Sequence, residues 1–372
     1  MRTLILTCNT GEGHNSSAVA IREVFEDNGE FCELRESLSF GSNRFSKIIG
    51  KGHVGIYRHS PKLFDKGYAM SEKHDSYFSR GSVFYKVLTR GVKRLYEYVC
   101  TNKIDNIICV HPFSALLVTE LKKKYELEIS TSFVATDYTC APGASSSDMD
   151  RYFIPHQLLA DEFISAGIPR EKLYPSGIAI SQTFYKHNNK DSARDKLNLP
   201  RDKKIILLCC GSMGCGPINR VAMNISEGVD GNTVVVVVCG SNKRLYNKLV
   251  TKQSDHLFVV GYTKEMCEYM HACDVFLTKA GGISTTEASI LAKPMIFVNA
   301  VAGCELRNRE FFKRIDCAVT VTSNDEIPPV ALSLIDDSTL CEKLSSNLSE
   351  NFGTNAAKYI FDTLKENNKT TF

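Results

Sequence analysis

Three glycine- and hydroxyl-rich stretches in the second half of the chain have the residue types needed to hold a phosphorylated ligand. The first, Gly211-Ser212-Met213-Gly214-Cys215-Gly216, directly follows the apolar run Ile205–Cys209. Glycines let backbone N–H groups approach an anion, and a helix that starts there adds its positive end. The second, Thr278-Lys279-Ala280-Gly281-Gly282-Ile283-Ser284-Thr285-Thr286-Glu287, follows Val275–Leu277. Two glycines, several hydroxyls and a helix start can cradle a diphosphate, and Lys279 can neutralise part of its charge. Glu287 falls in the first turns of that helix, where a carboxylate can accept two ribose hydroxyls. The third, Asn299–Asn308, follows Met295–Val298 and contains Gly303, Cys304, Glu305 and Asn308, polar groups suited to reading a sugar. A glycine after a strand is ordinary turn geometry. Three such loops in order, each after an apolar run, point to a nucleotide-sugar.

The first half offers candidates for proton transfer. His14 follows the first apolar run and opens a helix expected from about Ser16 to Asn28. The positive end of a helix disfavours a protonated imidazole, and a neutral imidazole is what a general base needs near pH 7. Asp137 is the rival base, or a group that orients His14 or the acceptor. His111, at another strand end, is a third candidate. His53, His59 and His74 read as surface residues.

The elements that must position these groups are short β-type runs alternating with helical stretches, the pattern of βα units and parallel sheets. Runs at Leu4–Thr7, Ile107–Val110, Thr131–Ala135 and Tyr152–Ile154 form a first series, with helices starting near Ser16, Pro112 and His156. A second series comprises Ile205–Cys209, Val234–Cys239, Leu257–Val260, Val275–Leu277 and Met295–Val298. Between them the polar stretch from His187 to Lys203 has no strong apolar period. The expected organisation is an N-terminal Rossmann-like domain at 1–180 and a linker at 181–204. A C-terminal Rossmann-like domain that carries the three loops follows at 205–345, then a helix and tail at 346–372 that pack back on the first domain. Two such domains would face each other across a cleft, with ligands beyond the carboxyl ends of the strands.

Lys279 to Glu287, followed by Gly303, Glu305 and Asn308 before Phe311-Phe312, resembles the donor-site signature of monogalactosyldiacylglycerol synthases and processive diacylglycerol glycosyltransferases. These are relatives of the enzyme that adds N-acetylglucosamine to the peptidoglycan lipid precursor. The resemblance extends over nearly the whole chain through Gly11-Glu12-Gly13-His14, His111-Pro112, Thr136-Asp137-Tyr138 and Asp150-Arg151-Tyr152-Phe153. It implies an α/β GT-B fold and an inverting transfer of a hexose from a UDP-sugar to a membrane lipid, diacylglycerol, giving a β-glycolipid. It places Gly13 in the glycine-rich loop beside the donor and Glu287 on the uridine ribose. Ser212, Met213, Gly281, Gly282, Ser284 and Thr285 would surround the diphosphate. Gly261 and Tyr262 would lie near the uracil, and Gly303, Cys304, Glu305 and Asn308 near the hexose. The chain has Cys304 where the family usually has glutamine. It also has Thr139-Cys140-Ala141-Pro142-Gly143 where the family often carries a tryptophan.

The 372 residues suffice for two domains, and a net charge of +3 argues against a dedicated nucleic-acid binder. Charge is nevertheless uneven. From Arg44 to Arg94 there are 12 Lys or Arg against 3 acids, with Phe45, Tyr57, Phe64, Tyr68, Tyr77, Phe78, Phe84 and Tyr85 interleaved, a composition suited to an anionic membrane surface. The opening residues are too briefly apolar for a signal peptide, and no apolar run has the length of a spanning helix. The 14 cysteines are scattered without a C-x-x-C pair and read as free thiols in a reducing compartment. These features place the protein in the cytoplasm, peripheral on the inner face of the membrane, with no metal or other cofactor expected. Other readings are a sugar-nucleotide epimerase or UDP-N-acetylglucosamine-dependent transferase of the same fold, and a non-catalytic UDP-sugar sensor. Gly11-x-Gly13-x-x-Ser16 with Glu33 or Glu36 also partly fits a dinucleotide-binding loop, but leaves the later loops unexplained.

Overall fold

The computed structural model describes residues 1–9, 11–42, 77–214, 216–298 and 303–369, with positions 44, 46, 52, 55, 56, 60, 66–68 and 70. Most of the basic, aromatic stretch before Tyr77 therefore lies outside the described residues, as do Cys215 and 299–302. The chain divides into two compact units. One comprises Met1–Gln182, Ala302–Cys304 and Thr354–Phe372, the other Thr183–Val301 and Glu305–Gly353.

The first unit holds six strands: β1 (Arg2–Thr7), β2 (Phe31–Glu36), β3 (Asn106–Cys109), β4 (Ser130–Val134), β5 (Arg151–Ile154) and β6 (Leu173–Pro175). They form one sheet in the order β2-β1-β3-β4-β5-β6, and every pairing is parallel. The second unit holds β7 (Lys204–Leu208), β8 (Thr233–Val238), β9 (Leu257–Val260), β10 (Val275–Thr278), β11 (Met295–Phe297) and β12 (Val319–Thr320). Its order is β12-β11-β10-β7-β8-β9, again all parallel. Each unit is thus Rossmann-like, as the alternation of runs requires.

Burial explains which strands the sequence revealed. Val234–Val238 in β8 is enclosed on both faces, so its side chains need not alternate with polar ones. The strands the apolar pattern did not reveal, β2, β6 and β12, are all sheet edges. β2 reads Phe-Cys-Glu-Leu-Arg-Glu, because an edge strand can leave charged side chains in water.

Helices cover the sheets. The first runs Glu12–Asp27, beginning earlier than the predicted Ser16, with Gly11 before it and Glu12 in its first turn. The C-terminal helix Ala356–Lys369 lies against it, with Phe25 and Phe361 edge-to-face at 5.0 Å. Ala357, Ile360 and Leu364 join Ile5, Ile21 and Ile108 in the core of the first unit. The polar stretch before β7 carries the helix Lys190–Lys196, which packs against Met266–Ala272 within the second unit. Arg194 is only 2% exposed, and each of its three guanidinium nitrogens has a partner. Its guanidinium donates to the Ala272 and Arg201 carbonyls at 3.0 and 2.8 Å and to Asp274 at 2.9 Å. Among the described residues no helix is long and apolar enough to cross a membrane.

Candidate functional site

In an open parallel sheet, ligands bind beyond the strand carboxyl ends, where successive connections leave in opposite directions. In the first sheet that point lies between β1 and β3, since β2 and β3 flank β1 on opposite sides. The residues just beyond are His14 and His111. In the second sheet it lies between β7 and β10. The segments just beyond are Gly211–Gly214 and Lys279–Gly282.

His14 sits in the first turn of its helix, half-buried. Its Nδ1 lies 3.0 Å from the Val110 carbonyl oxygen and 2.7 Å from the Thr136 hydroxyl. A carbonyl can only accept, so Nδ1 carries the proton and Nε2 keeps its lone pair. Desolvation, only partly offset by the Val110 contact, lowers the His14 pKa to about 4. The ring is therefore neutral at pH 7. His111, 4.6 Å away edge-to-face, has the opposite tautomer. Its Nδ1 accepts from the Phe113 N–H at 3.1 Å and caps the helix Pro112–Tyr125. When neutral it carries its proton on Nε2 and is a donor. Asp137 directly follows Thr136, and its backbone carbonyl accepts from the Thr139 N–H at 2.8 Å. The contacts that orient His14 come from Val110 and Thr136. Their roles had no sequence signal: one is a backbone atom, the other a hydroxyl 122 residues away. The following loop is tied down by Glu162, which accepts from the Thr139 hydroxyl at 2.6 Å and the Cys140 N–H at 2.7 Å.

In the second unit the loop after β7 is held by backbone. Ser241 N–H donates to the Ser212 carbonyl at 2.8 Å and the Asn242 side chain to the Gly214 carbonyl at 2.9 Å. Gly211 has φ +73°, and a Cβ there would fall 2.9 Å from Lys279 Cε. Gly240 has φ +56°, and a Cβ would lie 2.4 Å from the Ser212 carbonyl oxygen. Side chains at either position would push two strand-end loops apart. Ser212 is exposed and Met213 half-buried.

The helix Gly282–Ile290 starts after Gly281 with no side-chain cap, which leaves its leading N–H groups for an anion. The Thr285 hydroxyl donates to the Gly281 carbonyl at 2.8 Å and its N–H to the same carbonyl at 3.1 Å, so both donors of this buried residue are used within the helix start. Ser284 is half-buried. Glu287, in the second turn, is half-buried, and no donor among the described residues reaches its carboxylate. Desolvation pushes it up to about 8. A carboxyl so placed gains from any ligand that brings hydroxyl donors.

Lys279 pairs with Glu305 at 2.6 Å. Gly303, with φ +64°, precedes the helix Cys304–Arg314, whose first turn carries Glu305. Asn308 is fully buried and donates to the Ala280 carbonyl at 2.8 Å, so it fixes the loop from beneath. Gly261 and Tyr262 follow β9, and the Tyr262 side chain is 67% exposed. Gly13 lies beside His14 in the first unit. A cavity of about 480 Å³ opens at the opposite end of the second sheet, lined by Lys204, Asp274, Lys293 and Pro294 at the amino ends of β7, β10 and β11. It contains none of the predicted site residues. Among the described residues no three His, Cys, Asp or Glu side chains are placed to hold a metal ion.

Two Rossmann-like units with glycine-rich strand-end loops define the GT-B fold class, and the solved structures agree with that fold. Residues 14–180 match the family model of monogalactosyldiacylglycerol (MGDG) synthase, and residues 205–308 match the glycosyltransferase family 28 C-terminal domain. It is 27% identical over 378 residues to the processive diacylglycerol beta-glucosyltransferase of Bacillus thuringiensis (strain Al Hakam), covering 99% of this chain and 94% of the relative. Among solved structures it is similar in fold to Acinetobacter baumannii MurG, with TM-score 0.65 and 11% identity over 98% of this chain and 99% of that one. The S. aureus MnaA–UDP co-structure is similar as well, with TM-score 0.64 and 14% identity over 98% and 96%.

Proposed function

We propose that the protein is an inverting glycosyltransferase that moves a hexose from a UDP-sugar to a membrane lipid, diacylglycerol, to form a β-glycolipid. The observation that carries the reading is Glu287, a carboxyl pushed up to about 8 by burial and met by no donor among the described residues, one turn into a helix whose first N–H groups lack a side-chain cap. Ribose hydroxyls supply the donors, and the diphosphate takes the helix end and Lys279. Tyr262 offers an exposed ring for the uracil. The domain matches and the relative's name support the lipid acceptor.

In this reading His14 is the base. Its Nε2 lone pair takes the proton of the acceptor hydroxyl as that oxygen bonds to the anomeric carbon. The bond from that carbon to the phosphate oxygen breaks, and UDP leaves with the electron pair. One displacement converts an α-linked donor into a β-linked product. The approach of an anionic donor raises the His14 pKa, so the imidazole becomes a better acceptor when substrate is bound. His111, with its proton on Nε2, is suited to donate a hydrogen bond. Asp137 is the alternative base. The chemistry needs no metal, because Lys279 and backbone N–H groups stabilise the leaving diphosphate.

The protein docks peripherally on the inner face of the cell membrane. Tyr77, Val83 and Phe84 are exposed beside Arg80 and Lys86, which suits an anionic lipid surface. The test is incubation with UDP-glucose, UDP-galactose or UDP-N-acetylglucosamine and diacylglycerol vesicles, with products weighed by mass spectrometry. A new glycosyl-diacylglycerol supports the reading. UDP-sugar consumed without acceptor points to an epimerase, and binding without turnover to a sensor.

A further inference from the structure

The cavity at the amino ends of β7, β10 and β11 is built from groups that the proposed reaction does not use. Lys190, Lys204 and Lys293 line it, together with Asp274 and Glu342. Their charges are unevenly matched. One Asp274 oxygen takes the Lys190 ammonium, and the other takes the Arg194 guanidinium at 2.9 Å and the Ile205 N–H at 2.7 Å. Lys204 pairs at 2.7 Å with the exposed Asp336, and Glu342 is exposed. Lys293 differs from the other two lysines. Its ammonium donates to the His271 and Cys273 carbonyls, both at 2.9 Å, and no carboxylate among the described residues reaches it. Desolvation, the largest cause, lowers its pKa. Asp274 favours the charged form from a distance, but Lys190 and Arg194 oppose it. An ammonium has three donors, so one remains after the two carbonyls. A cation taken out of water without a counter-charge gains from any anion that reaches it.

The rest of the wall is apolar. Leu291, Pro294 and Ile335 supply it, with the thiols of Cys273 and Cys341. Burial raises the pKa of both thiols, Cys273 to about 11, so they are neutral at pH 7. A volume of about 480 Å³ is the size that encloses a small organic molecule rather than a lone ion. With Arg194 and Asp336 included, four cations stand against three acids, which leaves room for one negative charge. We propose that this cavity binds a small amphiphilic carboxylate, its head on Lys293 and its apolar body against Leu291, Pro294 and Ile335. The cavity and the loops Gly211–Gly214 and Lys279–Gly282 lie at opposite ends of the strands, so the carboxylate and UDP occupy the second unit together. Binding here needs no sugar-transfer chemistry and stands apart from the proposed function.

The test is titration calorimetry of the full chain with octanoate, 1-octanol and inorganic phosphate, each with and without excess UDP. Octanoate binds saturably, one per chain. Octanol has the body without the charge and phosphate the charge without the body, so each binds at least about tenfold more weakly. Lys293→Met lowers octanoate affinity about 10- to 100-fold, the scale of a lost charged hydrogen bond. Ser338→Glu covers the case in which the Lys293 variant is poorly folded. Ser338 is exposed, lines the cavity and begins the helix Ser338–Asn351, where a carboxylate is well tolerated. The added negative charge lowers octanoate affinity at least about threefold. No saturable octanoate binding, octanol or phosphate binding equally well, or both variants binding octanoate as the parent does would overturn the proposal. Octanoate displaced by UDP would place it at the other strand ends and overturn it too. Octanoate bound by a protein that binds no UDP would support the cavity site and count against the proposed function alone.

Discussion

Glu287→Gln should make the second unit more stable while weakening its hold on UDP. The carboxyl has its pKa raised from 4.5 to about 8 by desolvation alone. The folded state therefore prefers the neutral acid, and the charged form is penalised as pH rises through the interval from 4.5 to 8. Every tenfold change in proton affinity corresponds to about 1.4 kcal/mol, so the full penalty above pH 8 is at most about 5 kcal/mol, and about 3 kcal/mol at pH 7. The side chain is half-buried and keeps some contact with water. Halving these values leaves about 2–3 kcal/mol at pH 9, about 1–2 kcal/mol at pH 7 and nothing at pH 4. Glutamine keeps the shape and removes the charge. For a unit of this size each kcal/mol moves the midpoint by roughly 2–4 °C. Thermal melts of parent and variant at pH 4, 7 and 9, following the transition assigned to the second unit, should therefore diverge as pH rises. Ribose hydroxyls that donate to the carboxyl favour its ionised form in the complex, so the same substitution should weaken UDP roughly 10- to 100-fold, the loss of a charged hydrogen-bond acceptor. A variant no more stable than the parent at pH 9 would refute the reasoning. It would mean that Glu287 is satisfied within the protein and has no need of a ligand.

His14→Ala should lower turnover about 10²- to 10⁴-fold with little change in donor KM, measured by product formation. Because burial takes His14 to about 4, kcat/KM of the parent should stay flat through pH 6.5 and fall only near pH 5 or below. An acid limb at 6.5 would point to another base. Asn308→Ala removes the contact under Ala280 and should cost about 1–2 kcal/mol of stability, read by denaturant melts, and raise donor KM. Gly211→Ala must strain a backbone at φ +73° and press on Lys279, so UDP affinity should fall in calorimetry while the first unit melts unchanged. Phe361→Ala, emptying the contact with Phe25, should destabilise the first unit by about 3–4 kcal/mol in the same melts.

The sequence showed most clearly the parts buried on both faces. Val234–Val238 could be read as a central strand because nothing polar interrupts it, whereas Phe31–Glu36 escaped notice because its outer edge faces water. β9 is also an edge, yet its Leu-Phe-Val-Val run is apolar enough to be visible. Glycine and hydroxyl spacing likewise marked the strand-end loops proposed to hold the donor, since that chemistry is local in the chain. What spacing could not carry was pairing at a distance. The tautomer of His14 is set by Val110 and Thr136, and Lys279 pairs with Glu305, 26 residues on. Asn308, which the resemblance sets near the donor hexose, is fully buried and donates to the Ala280 carbonyl, a contact that no spacing announces. A polar residue looks the same in sequence whether it faces a ligand or supports the loop that does.

The most direct test of the account is calorimetric titration of UDP into the parent protein and into Glu287→Gln at pH 7. The account predicts saturable binding to the parent and binding at least tenfold weaker to a variant that is folded and no less stable. No heat from the parent, or equal affinity in both proteins, would contradict it.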